Sequence, residues 1–211
     1  MSDARPTIIV RPAADSDRAT TANVLAQAFI DDPAMAYLFR NPAERPRRLA
    51  RFFDLMVRIG AEPAHWSLAL GPAGTPVAAT IWRPPGQWQT PTTTVIRQLP
   101  GLVATFGLAL RRALALQNLL EAHHPRTPHW YLQFAGCRPE HHGRGYGGAA
   151  IRDRLAVCDA QGLPAALETA TPSNIGLYQA LGFAVTDTLP IPDGPTFWTM
   201  WREPRPCFSA P

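Results

Sequence analysis

The sequence predicts an α/β (α+β) fold, a mixed, mostly antiparallel sheet of six or seven strands flanked by helices. Three observations lead there. An apolar run at 129–137, a glycine-rich turn, an amphipathic stretch and a second apolar run at 164–169 read as strand, turn, helix, strand. Hairpin signals bracket that unit: Trp66–Leu70 and Val77–Trp82 are joined by Gly71-Pro72-Ala73-Gly74, and Phe183–Leu189 and Phe197–Arg202 are joined across Pro190–Pro195. After Glu168 only about 40 residues remain, too few for the further βαβ units of a doubly wound sheet.

In chain order, Thr7–Arg11 is a first strand stopped by Pro12, and Asp15 or Ser16 can cap a helix that runs to about Phe29. Asp31-Asp32-Pro33 breaks it. A short helix through Met35–Phe39 follows, then a longer one from Pro42 to about Glu62 with Leu49, Phe52, Phe53, Met56, Val57 and Ile59 on one side. Its other side carries Arg45, Arg47, Arg48 and Arg51, a face that is either solvated or steers phosphate. Thr94 to about His123 is helical, interrupted at Leu99-Pro100-Gly101, with Leu102, Phe106, Leu110, Leu114 and Leu119 as an apolar stripe. The last helix is capped by Ser173 or Asn174 and ends at Gly182, and Pro204–Pro211 is a loose tail.

Composition bounds the function. A chain of 211 residues suits a single domain, 1–211, and all 20 of its basic side chains are arginine, which removes Schiff-base lysine chemistry and the Walker loop. The arginines are spread rather than interleaved with aromatics, so nucleic acid is not an expected partner. There is no run of 18 apolar residues and no signal-type leader, so no membrane partner and a cytoplasmic location are expected. Cys137, Cys158 and Cys207 are odd in number and form no Cys/His cluster; reduced structural thiols and no metal site are the reading.

The chemistry concentrates in Glu140–Gly148. Four glycines in the six positions from Gly143 allow positive φ and close backbone approach at a helix start, where free N–H groups and the helix dipole form a socket for phosphate oxygens. Gly143-x-Gly145-x-x-Gly148, with Glu168 about 20 residues on, also fits the dinucleotide fingerprint. Two facts oppose that reading: Arg-Pro-Glu-His-His intervenes between strand and glycines, and the remaining chain is too short.

The order strand, x-x-Gly-x-Gly, helix, strand and then Asn174-x-x-x-Tyr178-x-x-x-Gly182-Phe183 resembles the coenzyme-binding core of the GNAT N-acetyltransferases, here about 129–183. Further stretches resemble one branch of that family: His124-Pro125-Arg126-x-Pro128-x-Trp130, Leu167-Glu168-Thr169 and Pro192-x-Gly194-Pro195. The resemblance implies a split where strands 129–137 and 164–169 diverge, acetyl-CoA as co-substrate, a small-molecule amine as acceptor, and a monomer or homodimer. It assigns the pyrophosphate socket to Gly143, Arg144, Gly145, Tyr146 and Gly147, the pantetheine and acetyl carbonyl to backbone groups of Ala135, Gly136 and Cys137, and a coenzyme contact to Asn174. His142 stands where the family carries Gln or Arg.

Acetyl transfer to an amine also needs an acid for the leaving thiolate and a base for the ammonium. Tyr178, on one face with Asn174, is the expected acid. Glu168 is the expected base or ammonium anchor; Asp31 and Asp32 edge the acceptor pocket or merely turn the chain, and His129, His141 and His142 are further candidates. Trp82, Trp88, Tyr37 and Phe39 are expected near the acceptor, suggesting an aromatic or apolar amine. A peptide N-terminal acetyltransferase and a non-catalytic acyl-CoA-binding module are the alternatives.

Overall fold

A computed structural model describes residues 7–59 and 65–205. The chain opens with β1 (Val10–Pro12), one 3-10 turn, α1 (Arg18–Ala28), α2 (Pro33–Leu38) and α3 (Arg45–Ile59). The cap of α1 falls on neither Asp15 nor Ser16. The Asp17 carboxylate accepts the Ala14 amide at 2.8 Å and pairs with Arg11, because the 3-10 turn at Asp15–Asp17 moves the start of the α-helix to Arg18. Residues 60–62 of the expected longer helix lie outside the described residues, as does Cys207.

The basic side of α3 divides in two. Arg47 and Arg51 are exposed, whereas Arg45 donates to the Phe39 carbonyl at 3.1 Å and Arg48 to the Thr105 carbonyl at 2.9 Å. Two of the four arginines therefore satisfy carbonyls near the ends of neighbouring helices.

Next come β2 (Trp66–Leu70), β3 (Pro76–Arg83), α4 (Thr92–Arg97), α5 (Leu99–Phe106) and α6 (Leu110–His123). By length and composition Leu99–His123 would suffice to cross a membrane, with a mean hydropathy of 1.4 in its most apolar window. In the fold it is bent at Gly107, where φ is 50°, and Phe106, Leu102, Leu110 and Leu116 pack into the core beside α3. The chain then forms β4 (Trp130–Cys137), α7 (Tyr146–Gln161), β5 (Ala165–Thr169), α8 (Ile175–Ala180), β6 (Ala184–Pro190) and β7 (Thr196–Arg202). The side chain of Asn174 does not cap α8, and a 3-10 turn containing Ser173 precedes it. Its C-terminus closes as expected: the Gly182 amide bonds the Gln179 carbonyl and the Phe183 amide the Tyr178 carbonyl.

The seven strands make one sheet in the order β1-β2-β3-β4-β5-β7-β6, antiparallel throughout except for β4 beside β5. That parallel pair is short. Trp130, Tyr131 and Leu132 register against Ala165, Ala166 and Leu167, and pairing stops there. The cause is visible one strand over, where Ile81 faces Phe134 but Trp82 faces Leu132, leaving Gln133 as an extra residue. A bulge bends the strand that carries it and increases its twist. From Gln133 onward β4 follows β3, while Glu168 and Thr169 follow β7, so the sheet opens into a V.

One apolar cluster, built on α1, α2, α3, α5, β2 and β3, fills one side of the V, with Leu25, Phe53, Leu68 and Ile81 among its fully buried members. A second, built on α7, β4 and β5 around Trp82, Ile151, Leu167 and Met200, fills the other. Arg202, 3% exposed, fastens β7 to α7 with two hydrogen bonds to Asp159 at 2.7 and 2.8 Å.

Candidate active site

The glycine turn has the geometry its composition predicts. Gly143 and Gly145 hold φ of 73° and 86°, the left-handed region that favours glycine, and Gly145 leads directly into α7. Between His142, whose amide bonds Pro139, and Ala149, whose amide bonds Gly145, no amide donates to a backbone carbonyl among the described residues. A Cβ built on Gly143 would meet nothing within 4 Å. Amides that meet no backbone carbonyl at the start of a helix of 16 residues, with only that of Gly147 directed at the Cys137 thiol, fit a pyrophosphate. Two side chains act on the turn from within. His142 donates from Nε2 to the Cys137 carbonyl at 2.9 Å, which bridges the turn to the end of β4. The Cys137 thiol is pushed up to about 11, first by burial, with the Gly147 amide acting in the opposite direction.

Gly136 is placed differently from expectation. A Cβ there would lie 2.6 Å from the Ala28 Cβ, 3.2 Å from Leu25 and 3.3 Å from Phe29, so the missing side chain admits α1 rather than a ligand. Nor is Gly136 the bulge residue; that is Gln133, whose Oε1 accepts Arg83 Nε at 2.9 Å.

Beyond the bulge a cavity of about 460 Å³ opens between the V and the helices α2, α3, α5 and α6. Its walls are mainly apolar, with Phe29, Phe52, Phe106, Phe134 and Phe197 among them, and its volume lies in the range of small-ligand pockets. Ala135, Glu168, Asn174 and Tyr178 all line it. The fold thus brings the expected acid, base and β4 backbone to one space, while the phosphate turn lies beyond the end of β4. Of the four aromatics expected near the acceptor, only Trp88 lines this cavity. Trp82 is fully buried in the second core cluster, and Phe39 and Tyr37 pack with the first.

Tyr178 is buried, and burial first and then the Asp32 carboxylate push its phenol up to about 12, so it holds its proton at neutral pH. Asp32 lines the cavity and also turns the chain. Oδ1 accepts the Met35 amide at 3.0 Å and Oδ2 the Thr171 hydroxyl at 3.0 Å, and burial pushes its carboxyl up. Asp31 is absent from the lining. His141 stays at the phosphate turn, edge-on to Tyr146.

Glu168 has company that sequence reading did not supply. His124 Nδ1 lies 3.2 Å from its Oε1, His129 reaches His124, Trp88 stacks on the His124 ring at 4.0 Å, and Tyr131 packs edge-on against it. Burial and the Glu168 carboxylate hold the Tyr131 phenol well above its ordinary range. The signal available for His124 was its place in the His-Pro-Arg stretch. That it turns back onto a strand 44 residues away was not readable.

The comparisons agree with this geometry. Residues 82–183 match the model of the acetyltransferase (GNAT) family, the stretch that builds the bulge, the split, the turn and α8. The fold is shared with a crystal structure described as histone acetyltransferase HPA2 and related acetyltransferase from Corynebacterium glutamicum, at 24% identity over 94% of this chain and 97% of that one, with a TM-score of 0.71. It is shared also with arylalkylamine N-acetyltransferase 2 from Aedes aegypti, at 10% identity over 94% and 100% of the two chains and a TM-score of 0.64. A NatC complex bound to Gag peptide and CoA has a chain that matches at 10% identity over 94% and 99%, with a TM-score of 0.54. Over that segment, just under half of the chain, the likeness is to the GNAT acetyltransferases, and the solved structures share the fold. Acetyl transfer is the activity of the matched family, and one structure that shares the fold is bound to CoA.

Proposed function

We propose that this enzyme acetylates the amine of a small molecule with an aromatic or bulky apolar body, by direct transfer while both substrates are bound. The observation that carries the reading is the cavity: apolar walls, covered by α5 and α6, with Glu168 where β4 and β5 part. Apolar walls favour an apolar body, and a buried carboxylate favours the ammonium of its amine. Acetyl-CoA supplies the thioester carbon that the amine attacks. The turn Gly143, Arg144, Gly145, Tyr146 and Gly147 holds the pyrophosphate, chiefly through backbone amides; the edge of β4 that β5 leaves, from Ala135 to Cys137, aligns the arm and polarises the carbonyl; Asn174 contacts the arm. Glu168 takes the proton of the ammonium, and Tyr178 gives one to the departing sulfur.

Within the family the stretches around His124, Glu168 and Gly194 resemble puromycin N-acetyltransferase, which makes a resistance-like role and an aminonucleoside acceptor the first to try. The test is an amine screen that follows CoA release with the full chain, including puromycin, arylalkylamines, polyamines and N-terminal peptides. Turnover on aromatic amines supports the reading. Turnover on peptides alone moves the enzyme to the N-terminal acetyltransferases, and acetyl-CoA binding with no turnover leaves a binding module.

A further inference from the structure

Oε1 of Glu168 lies 3.2 Å from His124 Nδ1 and the Tyr131 phenol is coupled to the same carboxylate, while the buried Oε2 meets no partner within hydrogen-bond distance among the described residues. Behind it runs a chain of rings. His124 Nε2 is 3.1 Å from His129 Nε2, and His129 Nδ1 is 2.7 Å from the Thr127 carbonyl. Hydrogen counting fixes the protons from the outer end inward. A carbonyl only accepts, so His129 Nδ1 carries the hydrogen. His129 is 3% exposed, and burial pushes its pKa down, which keeps the ring neutral and leaves a lone pair on Nε2. His124 Nε2 must then donate to it. With that hydrogen spent, a neutral His124 would set the lone pair of Nδ1 against a carboxylate oxygen, so one more proton lies on the line between Nδ1 and Oε1.

Trp88, stacked on His124 with ring centroids 4.0 Å apart and planes 26° apart, favours placing that proton, and its charge, on the ring. The other charged or titratable groups that line the same cavity among the described residues are Tyr131 on β4, Glu121 on α6, Asp32 and Tyr178, and Arg83 acts on Tyr131.

We infer that His124 is a positioning residue held as an imidazolium, its tautomer set through His129 by the Thr127 carbonyl, and that it keeps Glu168 ionised in an apolar wall with Oε2 turned toward the acceptor. This deepens the reading of Glu168 as base. In the step it serves, an N–H bond of the acceptor ammonium breaks, an O–H bond forms at Oε2, and the electron pair left on nitrogen attacks the acetyl carbon.

The test needs neither acceptor nor coenzyme, so it can fail separately from the amine screen. The full chain, labelled with 15N-histidine and 13C-glutamate, is read by NMR at pH 7.5. Expected are a neutral His129 with its proton on Nδ1, a doubly protonated His124 and a carboxylate at Glu168. In Glu168→Gln, His124 drops to a singly protonated ring at the same pH. In His124→Gln, the Glu168 carboxyl carbon moves toward its protonated position. A singly protonated His124 in the unaltered protein, or one whose state Glu168→Gln leaves as it was, overturns the inference. Should His124→Gln fail to fold, the other two samples still decide.

Discussion

Replacing Gly136 with alanine separates two uses of that glycine, room for α1 or room for a coenzyme. The new Cβ would sit 2.6 Å from the Ala28 Cβ, against a comfortable separation of about 3.5–4.0 Å, and 3.2 Å from the Leu25 Cδ2. Neither Cβ can rotate away, so α1 or β4 must shift by about 1 Å. Overpacking of this kind costs about 1–3 kcal/mol. At about 2–4 °C per kcal/mol for a chain of this size, the melting temperature should fall by about 2–12 °C. Ala28→Gly in the same chain removes the opposing methyl and should return most of the loss, less at most about 1 kcal/mol for glycine in a helix. The assay is calorimetric unfolding of both variants, with acetyl-CoA titration beside it. An unchanged melting temperature together with weaker acetyl-CoA binding would refute the packing argument.

Further outcomes follow from the same structure. Tyr178→Phe should lower turnover by about 10²-fold or more while leaving the melting temperature nearly unchanged, as expected for the loss of a proton donor. The phenol's pKa is raised from 10.0 to about 12 in the folded chain, so its ionisation costs nothing below pH 10 and takes stability from the folded state as pH rises through 12. That amounts to about 2–3 kcal/mol, visible as a falling urea midpoint over this window that is shallower in Tyr178→Phe. Asp159→Ala leaves the buried Arg202 guanidinium without its carboxylate and should cost about 3–5 kcal/mol by chemical denaturation. Gly143→Ala puts a side chain into the open space above the turn and strains a left-handed residue by about 1–2 kcal/mol. Calorimetry should find acetyl-CoA bound at least about tenfold more weakly.

Much of this architecture was legible because it is local. The run of apolar residues at Trp130–Cys137 gave a strand with those bounds, and the clustered glycines could only mean a turn of left-handed residues at a helix start. What stayed hidden depends on partners distant in sequence. Gly136 looked like a ligand glycine because nothing in its neighbourhood announces that Ala28 will press against it. Trp82 looked like a pocket aromatic, yet the register of β3 turns it into the second core cluster. The bulge at Gln133 has no composition of its own. His124 sits at the end of an apolar helix, and its tie to Glu168 exists only once the two strands are in place.

The opening between β4 and β5 has a consequence for how such an enzyme can change. The side chains that would judge the acceptor, such as Met35, Phe52, Leu110 and Leu114, stand on α2, α3 and α6, whereas the amides of the glycine bend and the phenol of Tyr178 stand on α7 and α8. On the proposed reading, guest selection and donor chemistry fall to separate helices, so a new preference can be acquired on one side of the gap while the machinery on the other is inherited intact.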